Sequence, residues 1–473
     1  MSKFHSTLSR REFMKALGMG AAGVGVAGIS TQAPVFHDLD ELTSSEFGDL
    51  CHPWWVKQVD KPTVEIDWDL MEPYKGQRTR DYDHYCTKTP EYIEGRKRYN
   101  EFKKRRSEEM KKGLLSGKPE YLSLRTQALQ EGGWFIGGFG MHMDSFEDFR
   151  GWGVKTPQER GVPRYEGTPE ENARTVRAAM MYYGYPYVGF GLIDENTKKL
   201  MCGRHERFED VEWAYRDMTV PGPFGWGVNV YPEKCRYKVN APTIRSIELS
   251  RYGAAPLKND GILVYSHGHI LLKRSQCFIK ALGYQALAGE ESTEVAWAGM
   301  CGIGELGRHS MLISPEWGTR INRFPNLTTD MVLPPSGHVD AGIRRFCKDC
   351  KVCSDFCHEN ALGALPEDRE PTWEVNNEAN RIGIKQWSIN WPICCCDSGC
   401  FIHCVFNANN IAAIHDIVKA TVSTTPIFNG FFANMDRTFN YHAEKDFADW
   451  WNRDFRHYRF HAVRDGDNRH VWS

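Results

Sequence analysis

Four cysteines fall within sixteen residues of "CKDCKVCSDFCHENAL", 347–362, at the spacing C-x2-C-x2-C-x3-C. Few centres besides a metal–sulfur one need Cys347, Cys350, Cys353 and Cys357 so close together. The spacing is that of bacterial ferredoxins: three thiolates on a tight loop grip one four-iron cube, and the fourth, three residues on, ligates a second. This geometry predicts another cysteine group to complete the exchange. It lies at 394–404, "CCCDSGCFIHC", where Cys400 and Cys404 supply the C-x3-C ending. One cluster then takes Cys347, Cys350, Cys353 and Cys404. The other takes Cys357, Cys400 and two of Cys394, Cys395 and Cys396. Asp397 stands where the spacing asks for a cysteine, and His358 and Val405 stand where ferredoxins carry proline, so the second ligand set stays open. Zinc is the rival metal. It prefers four ligands from C-x2-C pairs, and a C-x3-C ending in both groups fits iron–sulfur better.

Nine of the chain's 15 cysteines lie between 347 and 404, whereas a disulfide scaffold is small and cysteine-dense throughout. The chain has 473 residues, 41% of them hydrophobic, which suits a globular protein of two or three domains or one large elaborated domain. Its net charge of −2 argues against nucleic-acid binding through phosphate neutralisation. Aromatics are abundant, which suits either a large core or a pocket for an apolar or planar ligand.

The first 33 residues read as an address. Lys3, Arg10, Arg11 and Lys15 precede a Gly- and Ala-rich run, 16–29, that is too short to span a membrane. "SRREFMK", 9–15, resembles the twin-arginine export signal, which carries proteins already folded. Clustered thiols in an exported chain can therefore be loaded with metal before export.

Residues 34–110 are polar and proline-rich, with a charged helix expected over 90–115. Further on, "TPEENARTVRAAMMYYGYPYVGFGLID" predicts a helix capped by Thr168 with Pro169 in its first turn, then Gly184, then a strand. "APTIRSIELSRYG" predicts another strand. "ILVYSHGHILLKRSQCFIKALGYQAL" predicts a helix, Gly283 and a strand. Helices alternating with apolar strands give an α/β or α+β core.

Taken in order, these pieces resemble one family, the corrinoid-dependent reductive dehalogenases of organohalide respiration. The residues that carry the likeness are the twin-arginine leader, the helix–strand unit at 171–194, "KALGYQALAGEESTEVAWAGMCGIGELGRHSMLISPEWGTRINRF" at 280–324, "TTDMVLPP" and "IRRFCKDCKVC". The resemblance implies a nitroreductase-like cobamide-binding core beside a ferredoxin-like module carrying two [4Fe-4S] clusters. It implies a signal peptide over 1–33, an N-terminal region over 34–155, the core over 156–340, the cluster module over 341–415 and a C-terminal region over 416–473. Cobalt would have no protein ligand on its lower face, since the chain lacks D-x-H-x-x-G. Tyr265 is the expected proton donor, with Arg320 or Arg323 as its basic helper and Arg308 a third possibility better suited to a cofactor contact, because a phenol beside a fixed positive charge gives up its proton more readily. Glu291 falls near the family's position for an amide or lysine, where an acid would change the local charge. Gly302, Gly304, Gly307 and Arg308 are the expected cofactor contacts, and His267 and His269 are candidate proton relays. Trp54, Trp55, Trp134, Phe135 and Trp391 are candidate pocket walls, each also suited to a core. The expected substrate is a small halogenated organic compound. The expected partners are a small integral-membrane anchor and an upstream respiratory donor, at the outer face of the cytoplasmic membrane. An exported two-cluster electron carrier without corrinoid is the alternative. It leaves about 300 residues before the clusters without a purpose.

Overall fold

The computed structural model describes residues 52–73, 154–201, 206–220, 227–246, 249–252, 254–288, 293–322, 326–357, 370–375, 380–390, 394, 399–407, 414–439 and 445–452, with scattered helical positions between 93 and 112. In chain order, strand β1 (Lys57–Val59) precedes helix α1 (Pro169–Tyr183) and strand β2 (Gly189–Leu192). Strands β3 (Glu206–Glu209), β4 (Tyr215–Asp217), β5 (Val228–Pro232), β6 (Tyr237–Asn240) and β7 (Thr243–Ile244) follow. Helix α2 (Ala254–Ala281) runs into β8 (Ala286–Ala288), and α3 (Glu294–Met300) into β9 (Glu305–Leu306) and β10 (Leu312–Ile313). After β11 (Ile321–Asn322), β12 (Asn326–Thr329) and β13 (His338–Asp340) come the cysteine-bearing helices α4 (Ile343–Cys350), α5 (Val352–Asp355) and α6 (Gly399–Ile402). Helices α7 (Ile414–Thr424), α8 (Asn429–Phe439) and α9 (Phe447–Trp451) complete the series.

Local chemistry explains the clearest elements. Thr168 and Glu171 form a reciprocal capping box at the start of α1, each side chain accepting the other's backbone N–H, with Pro169 in the first turn. The helix stops at Gly184, whose φ of 116° suits glycine. In α2 the buried Val264, Leu271, Leu272 and Ile279 follow helical spacing, and Gly283, φ 100°, turns the chain into β8. These elements match the expectations from sequence.

The strand expected over 241–253 is largely absent. Among the described residues of that stretch only Thr243 and Ile244 form a strand, paired with Asn322 and Ile321 of β11. The Ser246 hydroxyl then accepts the Leu249 N–H at 3.2 Å, offering the backbone a turn instead of a ladder, and Leu249–Tyr252 wind into a 3-10 helix.

The fold is mixed α/β. The central sheet is antiparallel in the order β2-β6-β12-β8, with Leu327 opposite both Val239 and Ala288. A second sheet, β3-β5-β4, pairs β3 and β5 parallel and β4 and β5 antiparallel. Helices α1 and α2 cover the central sheet, where Val176, Met180, Leu271 and Ile279 meet Phe190, Val239 and Leu327. Each such side chain, fully buried, contributes roughly 1.5–3 kcal/mol. A separate core surrounds the cysteine helices, built from Trp55, Ile343, Phe346, Val352, Trp387, Phe406, Val422 and Phe432. Strand β1 pairs with β13 just before α4, tying residues near the start of the described chain to this second core. Among the described residues no helix is long and apolar enough to cross a membrane.

Candidate functional site

Helix α4 carries Cys347 and Cys350 one turn apart, on the same face. Its free N-terminal N–H groups are met by a carboxylate from another strand. Glu305 of β9 accepts from Ala341 N at 2.7 Å and Ile343 N at 3.1 Å through Oε1, and from Arg344 N at 3.2 Å and Thr63 Oγ1 at 2.7 Å through Oε2. A negative charge at a helix start is favourable. The preceding Gly342 has φ 74°, and a Cβ there would meet Val422 O at 2.2 Å, so the close approach of α7 requires glycine. At the other end Lys351, φ 56°, breaks the helix and starts α5, which brings Cys353 round. Cys404 enters from the segment after α6.

These four sulfurs share one electrostatic neighbourhood. Burial raises the pKa of each thiol, and the charge of Cys347 adds to the rise at Cys350, Cys353 and Cys404. The Cys353 thiol is pushed up to about 12. Backbone N–H groups already point at the sulfurs, from Arg308 to Cys347, Val352 to Cys350 and Phe406 to Cys404. Buried thiols with aimed N–H donors suit iron coordination, which deprotonates a thiol outright and then gains from those donors. Among the described residues no three His, Cys, Asp or Glu side chains converge as a single ion would need. A four-iron cube is wider than one ion and holds its sulfurs further apart. The described cysteines are unbridged. Of the second set, Cys357, Cys394 and Cys400 are half-buried; Cys395 and Cys396 lie outside the described residues.

Arg308, an expected cofactor contact, also holds the cysteine-bearing helix. It is 5% exposed and reaches α4, with Nε donating to Cys347 O at 3.0 Å and Nη2 to Lys348 O at 3.2 Å. Its guanidinium lies over the Trp387 ring at 4.7 Å, and Arg344 lies over the same ring at 5.0 Å. The glycines near it approach the chain's own backbone: a Cβ would meet Gly337 O at 2.8 Å from Gly302, Ile313 O at 2.2 Å from Gly304 and Ile313 Cδ1 at 2.4 Å from Gly307. Their missing side chains serve the close pairing of β9 with β10 and the crossing of the 337 turn.

Arg320 is 2% exposed and donates to Asn407 O at 3.2 Å. Asn407 in turn accepts from Thr319 N at 2.9 Å and donates to Phe401 O, so the 319–320 segment is laced to the second cysteine loop. Tyr265 sits on α2 and is 41% exposed. Helix α2 packs against β11 and α6, so Tyr265 and Arg320 lie on neighbouring elements, one open to solvent and one sealed. His269 is buried and His267 half-buried on the same helix. His309 is buried against Phe401, with its ring centroid 5.5 Å away, and burial lowers its pKa to about 4. Trp55 joins the cysteine core while Trp54 is exposed. Arg323, Glu291, Trp134, Phe135, Trp391 and the leader lie outside the described residues.

Sequence reasoning missed three features. Glu305 and Trp387 carry no spacing signal, because their partners come from other segments. The third is a buried pair: His52 Nδ1 meets Glu316, and His52 Nε2 meets Gly302 O at 2.8 Å. Both ring nitrogens face acceptors, an arrangement that favours the doubly protonated ring. Burial lowers its pKa, but the charge and hydrogen bond of Glu316 and the Gly302 carbonyl outweigh burial and raise it. Burial likewise raises Glu316, and the charge and hydrogen bonds of His52 and Ser314 outweigh it, leaving the carboxyl low.

A family model described as reductive dehalogenase subunit matches residues 51–225. The chain is 30% identical to a chloroethene reductive dehalogenase of Dehalococcoides mccartyi strain VS, over 97% of this chain and 99% of that one. It is 27% identical to a trichloroethene reductive dehalogenase of another strain of that species, over 95% and 97%. Among solved structures it is similar to the catabolic reductive dehalogenase NpRdhA, with a TM-score of 0.54 at 16% identity. That match covers 82% of this chain and 49% of the other, so the chain spans about half the length of that protein, and the likeness is one of fold.

Proposed function

The chain belongs to the reductive dehalogenase family of oxidoreductases, and from that premise we propose that it removes chloride from a chloroethene, as the terminal reductase of organohalide respiration. The observation that carries the electron-transfer half of this reading is the group of four thiols, Cys353 half-buried and the other three buried with backbone N–H donors aimed at them. A cobamide in a nitroreductase-like core (156–340) would supply a strongly reducing cobalt at which the carbon–halogen bond is cleaved. The ferredoxin-like module (341–415) would feed it through two [4Fe-4S] clusters.

The chain's own residues have separable tasks in this scheme. Cys347, Cys350, Cys353 and Cys404 hold one cluster. Cys357 and Cys400, with two of Cys394, Cys395 and Cys396, hold the other. Glu305 fixes the helix that carries the first two ligands. Tyr265 gives the proton that replaces halide on carbon, and its 41% exposure leaves the ring open to a small substrate. Arg320 and Arg323 remain the proposed basic helpers. Arg320, held by the Asn407 carbonyl, also ties their turn to the second cysteine loop. The leader "SRREFMK" supports export by the twin-arginine route, with attachment to the membrane's outer face through a small integral-membrane partner.

The test is anaerobic assay of protein loaded with cobamide, iron and sulfide, using reduced viologen as donor and chlorinated ethenes as acceptors. Chloride release with one cobalt and about eight iron per chain, the sum of two four-iron clusters, is the expected result. Fully loaded protein that releases chloride from none of the chloroethenes refutes the substrate reading. Iron without cobalt, in protein made with cobamide supplied, refutes the corrinoid reading and leaves the electron carrier.

A further inference from the structure

Arg308 and Arg344 are cations placed for a purpose that the reaction does not explain. Both are nearly sealed, at 5% and 6% exposure. Arg308 spends two donors on the Cys347 and Lys348 carbonyls, and its own main-chain N–H points at the Cys347 sulfur. Arg344 donates to Leu306 O at 3.5 Å and to Lys385 O. Trp387 holds both guanidiniums against one ring, at 4.7 and 5.0 Å. Both positive charges act on the Cys347 sulfur, and Arg308 acts on Cys353 as well.

A guanidinium keeps its charge at any working pH. Buried, it is screened far less than on the surface. Reduction of a four-iron cube adds one electron, so the cube and its thiolates become more negative by one charge. A fixed positive charge nearby favours that state, and cluster potentials follow local charge and hydrogen bonding to sulfur. Helix α4 and the Trp387 face hold the cation still, so its contribution is constant through turnover.

We propose that Arg308 and Arg344, gathered on Trp387, raise the reduction potential of the cluster held by Cys347, Cys350, Cys353 and Cys404 and leave the second cluster unaffected. Their role is positioning and electrostatic. The inference rests on the cluster assignment above, and the experiment separates the two.

The experiment is a redox titration of the anaerobically purified holoenzyme, followed by electron paramagnetic resonance. Iron and sulfide are counted in every sample. The signal lost in Cys353→Ser identifies the cluster in question. In Arg308→Gln its midpoint falls by about tenfold in the reduction equilibrium, 59 mV for one electron, while the other midpoint stays. Arg308→Lys keeps the charge and recovers most of the shift. If Arg308→Gln loses its iron, Arg344→Gln carries the same test, with the same cluster moving in the same direction. An unchanged midpoint, an equal fall in both clusters, or a fall in Arg308→Lys as large as in Arg308→Gln overturns the proposal. Wild-type protein without any four-iron signal refutes the cluster assignment itself, before any variant is measured.

Discussion

Removing the Glu305 carboxylate tests whether one buried side chain anchors the cluster helix. In Glu305→Ala three backbone N–H groups, of Ala341, Ile343 and Arg344, lose their acceptor, and so does the Thr63 hydroxyl. Each buried orphan donor costs about 1–3 kcal/mol. Three of them sum to roughly 3–9 kcal/mol, while the hydroxyl can rotate toward another acceptor. Against this stands the relief of no longer burying a charge, several kcal/mol per ion. The orphaned donors outweigh that relief, and a net destabilisation of about 2–4 kcal/mol is expected. Glu305→Gln keeps one oxygen for Ala341 and Ile343 but turns an amide NH2 toward the Arg344 N–H. That single donor–donor conflict costs about 1–3 kcal/mol. The assay is urea unfolding of the loaded holoenzyme under argon, followed by far-ultraviolet circular dichroism and by cluster absorbance. Cluster absorbance falls at lower urea than the helix signal in Glu305→Ala, because α4 loosens before the sheet. An alanine variant within 1 kcal/mol of wild type, or a glutamine variant as unstable as alanine, refutes the reasoning.

Three further outcomes are expected. The His52–Glu316 pair gives a pH-dependent increment: the raised His52 pKa makes its share complete below about 6.5 and lost as pH rises through the folded value, while the lowered Glu316 pKa makes its share complete above about 4.5 and lost as pH falls through the folded value. Urea midpoints of His52→Gln measured from pH 4 to 9 should lack the decline above neutrality that wild type shows, and parallel curves would count against the pair. Tyr265→Phe should lower kcat by about 100-fold or more with cobalt and iron unchanged; a kcat within twofold of wild type removes Tyr265 from the proton-transfer step. Cys404→Ser should lose about four iron atoms, one cluster, and keep the other cluster's signal; loss of all iron or of none contradicts the assigned ligand set.

What the sequence made legible follows from the range of the interactions. The capping box of α1 lies within four residues, so "TPEE" announces it. The stripe along α2 and the glycine that ends it are equally local. Cys347 and Cys350 are three apart, which in a helix means one face. The strand expected over 241–253 shows the limit: the Ser246 hydroxyl competes locally for the Leu249 N–H, and among the described residues β11 pairs with only two of them. Glu305 was out of reach because its partners are 36 to 39 residues ahead, with Thr63 242 behind. His52 and Glu316 are 264 residues apart. The glycine-rich surroundings of Arg308 are visible in the sequence, while its acceptors on α4 lie 39 and 40 residues further on. Charge and polarity at these positions are visible in a sequence; the acceptor across the fold is not.

The four-sulfur nest also has a history in time. Cys404 follows Cys353 by 51 residues (404 less 353). At 5–20 residues per second of synthesis, the ribosome needs about 3–10 s to make that stretch. Until then three thiols of the nest stand without their fourth. The brace that closes the nest comes later still: Arg437 of α8 pairs with Asp355 and donates to the Cys350 carbonyl. The order of synthesis therefore sets the order of closure: a nascent chain that ends before α8 has the first three thiols but neither the brace nor, before residue 404, the fourth sulfur.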